Sequence, residues 1–172
     1  MELHSTTHRR AEVYRFHPAV LIATPLGALL LQFLLPLYFP LAGMLELPLL
    51  VVIYYGLVRH SAVAGILAGA AVGLARDTLS RDQLGVFALT STVAGYVTSV
   101  VSSRMETEGP LIRFLIVFVL YYIHFFSHFV LSVALLGQEV ELSMVRMVAA
   151  SLVNASIGVL LFRLLDRFRK PF

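Results

Sequence analysis

The chain has no cysteine and no tryptophan, and only 13% of its 172 residues are charged, against roughly 25% in soluble domains. Without cysteine there is no disulfide framework, no thiolate nucleophile and no thiolate-bound metal. The scarcity of charge excludes a soluble surface, because 59% of the residues are apolar and the mean hydropathy is +0.87. The net charge of +3 is scattered at segment ends, so the basic footprint of a nucleic-acid binder is missing too. Also missing are a phosphate-binding glycine loop, a Ser-His-Asp set and a close carboxylate pair, which leaves an enzyme reading little to stand on. What remains is an integral membrane protein of a single domain, with no stretch long or polar enough to fold as a separate soluble unit.

Charge-poor runs divide the chain into an all-α bundle of six expected transmembrane helices, near residues 18–37, 41–58, 61–76, 82–103, 112–136 and 144–162. The polar stretch 1–17 followed by an uncharged run mimics a signal peptide. The apolar part is too long for a signal core and lacks a convincing small-x-small cleavage site, so it reads as a retained first span bracketed by Pro36 and Pro40. The second segment is short: residues 47–58 would rise only about 18 Å, against a hydrocarbon thickness of about 30 Å. Either this helix begins near Leu41 or it spans only part of the bilayer. Ser80-Arg81-Asp82-Gln83 fits a capping box that starts the fourth helix near Arg81. With both termini cytoplasmic, the outer side keeps only Arg76, Arg81 and Arg146 of the basic residues, as the positive-inside rule favours.

Small residues form the clearest pattern. Ser61, Gly65, Gly69, Gly73 and Asp77 recur every four positions, and Ser91, Gly95, Ser99 and Ser103 repeat the device on the next segment. On a helix such spacing makes one slowly drifting stripe. In lipid, where apolar burial gains little, close van der Waals contact between small residues is a main source of helix association. The two segments therefore read as a tightly packed hairpin, and Gly65, Gly69, Gly73, Ser91, Gly95 and Ser99 are candidates for packing and for a partner helix. Between them lies a polar corner carrying Arg76, Asp77 and Arg81. Two readings of Asp77 stand, a specific role in shaping the corner or meeting a partner, and an ordinary solvated turn with Arg81 as its ion-pair partner. His124 and His128, four apart on the fifth helix, have the spacing of a metal-chelating pair but lack further ligands, so packing or interfacial hydrogen bonding is the plainer reading. Asn154, with Ala150 and Gly158 four residues to either side, is expected to hydrogen-bond between helices.

The run Gly69-Ala70-Ala71-Val72-Gly73-Leu74-Ala75-Arg76-Asp77, then Leu84-Gly85-Val86-Phe87-Ala88-Leu89, then Gly95-Tyr96, resembles the central signature of the MreD rod shape-determining membrane proteins. Glu46-Leu47-Pro48 departs from the Arg-Pro or similar pair that members often carry there. The resemblance implies a non-catalytic, cofactor-free scaffold in the bacterial cytoplasmic (inner) membrane, within the cell-elongation machinery that synthesises peptidoglycan. It implies an MreC-like bitopic protein as partner, with an MreB-like actin and peptidoglycan synthases in a larger complex. Because such proteins look similar in plan to the substrate-binding subunits of vitamin transporters, a small-molecule carrier is the alternative. A carrier needs a polar pocket, and here the intramembrane polar groups Gln32, His124, His128, Asn154 and the tyrosine hydroxyls are spread over four or more helices.

Overall fold

The computed structural model describes residues 18–80, 85–137 and 143–168. It is all-helical over those residues: α1 (Pro18–Tyr38), a 3-10 turn (Pro40–Met44), α2 (Leu47–Arg59), α3 (Ala62–Ser80), α4 (Val86–Arg104), α5 (Pro110–Leu136) and α6 (Met144–Asp166). Local chemistry sets several of these ends. Pro48 and Pro110 occupy first-turn positions, where the missing amide has no intrahelical partner to lose. Gly137, at φ +59°, closes α5 with its amide on the Ser132 and Val133 carbonyls, and Ser143 caps α6 by accepting from the Arg146 amide.

Five helices are long and apolar enough to cross a membrane, and α2 is the exception at 13 residues. Of the two readings left open for this segment, the chain takes the shorter one, and the boundary expected at 41 moves to Leu47. Pro48 suits that start, since in the first turn the missing amide has no intrahelical bond to lose. Every residue of α2 from Leu47 to Val58 is buried, the signature of a helix that is apolar all round and enclosed by others. It touches α1, α3, α4, α5 and α6. At the other end of the hairpin, α3 runs on to Ser80, so Arg76 and Asp77 are helical rather than part of a turn. The proposed capping box and Arg81 lie outside the described residues.

The contact between α3 and α4 is made by backbones. A Cβ added at Gly65 would strike the carbonyl oxygen of Gly95, and one at Gly95 would strike that of Gly65. One added at Gly69 would meet the Ser91 carbonyl, and one at Gly73 the α-carbon of Ala88. Each glycine thus points an α-hydrogen at the opposing strand of backbone, a geometry that admits weak C–H···O attraction at Gly65 and Gly95. α2 closes on the same seam, since a Cβ at Gly56 would lie 2.8 Å from the Cβ of Thr98. On its other side a Cβ at Gly158 of α6 would sit 3.3 Å from Leu50 and Val117.

Replacing Gly69 by Leu should therefore lower stability by about 3 kcal/mol or more, because backbone rather than a mobile side chain blocks the added atoms. Gly27, where a Cβ would meet nothing within 4 Å, is the control. Thermal unfolding in detergent should show a large drop for Gly69→Leu and almost none for Gly27→Leu; equal melting of the two would place the Gly69 face in lipid.

Candidate functional site

The polar residues gather at three levels of the bundle. The first is the break between the 3-10 turn and α2, where a helix starts inside the hydrophobic interior with its amides and carbonyls unpaired by any preceding turn. Two side-chain amides from distant helices clasp it. Gln32 of α1 donates to the Leu45 carbonyl at 2.7 Å and accepts from the Leu47 amide at 2.9 Å. Asn154 of α6 accepts from the Glu46 amide at 2.9 Å and donates to the Met44 carbonyl at 2.8 Å. An amide carries both donor and acceptor, so each residue satisfies one backbone group of each kind.

The second level is the start of α4. Asp77, only 2% exposed, reaches across from α3 and takes the Gly85 and Ala88 amides on one carboxylate oxygen at 2.9 and 3.1 Å. It thus supplies from another helix the anionic cap that favours a helix N-terminus. Beside it the Arg76 guanidinium lies 3.7 Å from the centre of the Phe87 ring and donates to Glu46 at 3.0 Å. Phe87 meets the ring of buried His124 edge-on, at 4.8 Å between centroids. Glu46, Arg76, Phe87 and His124 therefore join α2, α3, α4 and α5 through one connected set of contacts.

The third level closes the opposite end. Arg113 pairs with Asp166 and donates to the Thr107 carbonyl, and the Tyr54 hydroxyl donates to the second oxygen of Asp166 at 3.0 Å. The Ser102 hydroxyl donates to the Gly56 carbonyl, and His60, in the left-handed conformation at φ +48°, sets its ring against the Ser102 carbonyl.

The residues singled out in the sequence are thus drawn into different parts of the fold. Gly65, Gly69, Gly73, Ser91, Gly95 and Ser99 come together, but in contact between α3 and α4. Ser91 and Ser99 are 0% and 1% exposed, so that stripe is occupied from within and closed to a partner helix. His124 and His128 are engaged separately, the first buried on Phe87, the second exposed with Nδ1 3.4 Å from the Ser132 hydroxyl. Among the described residues no group of three or more His, Asp or Glu is placed to hold a metal ion. Sequence reasoning missed the clasp by Gln32, the Glu46–Arg76 pair and the Arg113–Asp166 pair. An amide in an uncharged run was a usable signal for Gln32; nothing local pairs Arg113 with a carboxylate 53 positions away.

The family described as rod shape-determining protein MreD matches residues 14–170, nearly the whole chain. No curated protein and no solved structure matches it.

Removing the Asp77 carboxylate strands two amides at the start of α4. Asp77→Ala should cost about 2–4 kcal/mol, at about 1–2 kcal/mol for each stranded amide. Hydrogen exchange should show the Gly85 and Ala88 amides losing protection while those of α2 keep theirs. Uniform loss of protection over the whole bundle would contradict a local capping role.

Proposed function

This chain belongs to the MreD family of rod shape-determining proteins, and from that premise we propose a non-catalytic membrane scaffold of the cell-elongation machinery. It docks the single transmembrane helix of an MreC-like bitopic protein and through it joins an MreB-like actin and the peptidoglycan synthases. Both termini face the cytoplasm, in keeping with the distribution of basic residues. The observation that carries the reading is how the polar side chains are used. Several of the intramembrane groups that a ligand pocket would need are turned to backbone and to one another, Gln32 and Asn154 on the α2 break, Asp77 on α4, Arg76 on Glu46 and Phe87, while Ser91, Ser99 and His124 are buried within the bundle.

With the α3–α4 stripe closed, the surface left for a partner helix is the outer side of the helices least engaged in the bundle. Within their apolar windows only 11% of α1 and 22% of α5 is buried, against 50% of α4. Association there depends on van der Waals fit rather than on new polar contacts.

Reporter fusions after Phe172 should show a cytoplasmic C-terminus, and insertion at residues 137–141 should report the outside. Co-expressed with an MreC-like bitopic protein, the purified chain should retain it at fixed stoichiometry. It should bind no vitamin-like metabolite more tightly than about 10 μM, roughly −7 kcal/mol. A stoichiometric bound metabolite with no retained protein would overturn the scaffold in favour of a carrier.

A further inference from the structure

α1 and α6 both pack on α2 and leave a slot of about 370 Å³ between them. Gly27 and Leu31 of α1 form one wall, Leu161 and Leu165 of α6 the other, and Val51 of α2 the floor. The lining is apolar apart from Thr24, whose hydroxyl is spent on the Val20 carbonyl at 2.7 Å. The slot offers nothing to a polar ligand and asks for hydrocarbon.

Its length decides what kind. From Val20 to Leu31 the α1 wall rises about 16 Å, close to half of a hydrocarbon core about 30 Å thick. The 3-10 turn touches both α1 and α6, and the chain leaving it meets α1 at Gln32, just beyond Leu31, where Gln32 bonds Leu45 and Leu47. A straight membrane-crossing helix laid in the slot would run into that turn halfway across. An acyl chain from one leaflet would fill it and stop.

The open end lies where the helices carry cations. Arg59, on the last turn of α2, stands within electrostatic reach of the Tyr55 hydroxyl, which itself bonds the Leu21 carbonyl at the start of α1. Arg59, Arg163 and Arg167 are exposed, and the acid on these turns, Asp166, is already engaged by Arg113 and Tyr54. Among the described residues the last turns of α2 and α6 therefore carry a net positive charge. We propose that this slot binds an anionic phospholipid of the cytoplasmic leaflet, one acyl chain lying between α1 and α6 and the headgroup held at Arg59. Basic ends of clefts between membrane helices favour such headgroups. The scaffold role does not enter the inference, and the orientation proposed above decides only which leaflet supplies the lipid.

The test uses the full chain in mixed micelles holding equal amounts of phosphatidylglycerol and phosphatidylcholine, with retained lipid counted by native mass spectrometry. One phosphatidylglycerol should be retained in preference. Arg59→Gln should reduce retention about fivefold, the factor that about 1 kcal/mol per arginine represents, and Gly27→Trp, whose ring enters open space in the slot, should reduce it at least as far. Val153→Trp, on the exposed side of α6, should leave it unchanged. Should Gly27→Trp lose its fold, Arg59→Gln decides alone, since its side chain is exposed. Equal retention of the two lipids, or full retention by both variants, would overturn the proposal. So would a single-span protein that, in a separate co-expression, takes the place of the lipid and is excluded by Gly27→Trp. The lipid assay itself has no leaflets and contains no partner, so neither wrong orientation nor a failed scaffold reading can produce its results.

Discussion

A peptide group left unpaired in hydrocarbon costs several kcal/mol, and the start of α2 places such groups in the interior of the bundle. The fold answers with four hydrogen bonds from two amide side chains, Gln32 and Asn154, carried by the first and the last helix. Much else depends on that clasp. It fixes the 3-10 turn between α1 and α6, sets how deep α2 begins, and brings Glu46 within reach of Arg76. Helix packing in lipid is non-directional, so these directional contacts select one arrangement among several that would pack comparably.

The glycine seam complements the clasp. Backbone contact between α3 and α4 brings those helices together closely enough for the short α2 to pack along both, with Gly56 against Thr98. Bulk lies on the other side, where Tyr54, Phe162 and Leu50 fill the space between α2 and α6. Small residues on one side and large ones on the other thus hold the central helix in place.

The helix count, the small-residue stripes and the need of Asn154 for a partner on another helix were legible because each depends on the local period and polarity of the chain. Sequence also posed the question of α2 correctly, through the deficit between its length and the bilayer. It could not answer it, since the decisive contacts join Asn154 to residues 108 and 110 positions away. The stripe along Ser91, Gly95 and Ser99 shows the same limit. Its small residues announced the close packing against α3 that the structure shows, but not that this contact uses up the face also read as a partner's docking site. Asp77 was legible as a candidate, yet its capping of Gly85 and Ala88 depends on α3 continuing past the expected boundary at 76.

The enclosure of α2 has a consequence for how the protein is made. Thirteen residues cannot hold a stable span by themselves, and the partners that pair the start of α2 are separated by more than a hundred positions of chain. As the chain emerges, α1 to α5 enter the membrane before Asn154 exists, and until then the Glu46 amide and Met44 carbonyl lack the partner they have in the finished fold. Membrane insertion of the middle of the protein is thus completed by its end. A chain truncated before α6 leaves the start of α2 without the two hydrogen bonds that Asn154 supplies, so the depth at which α2 begins is settled only by the last helix.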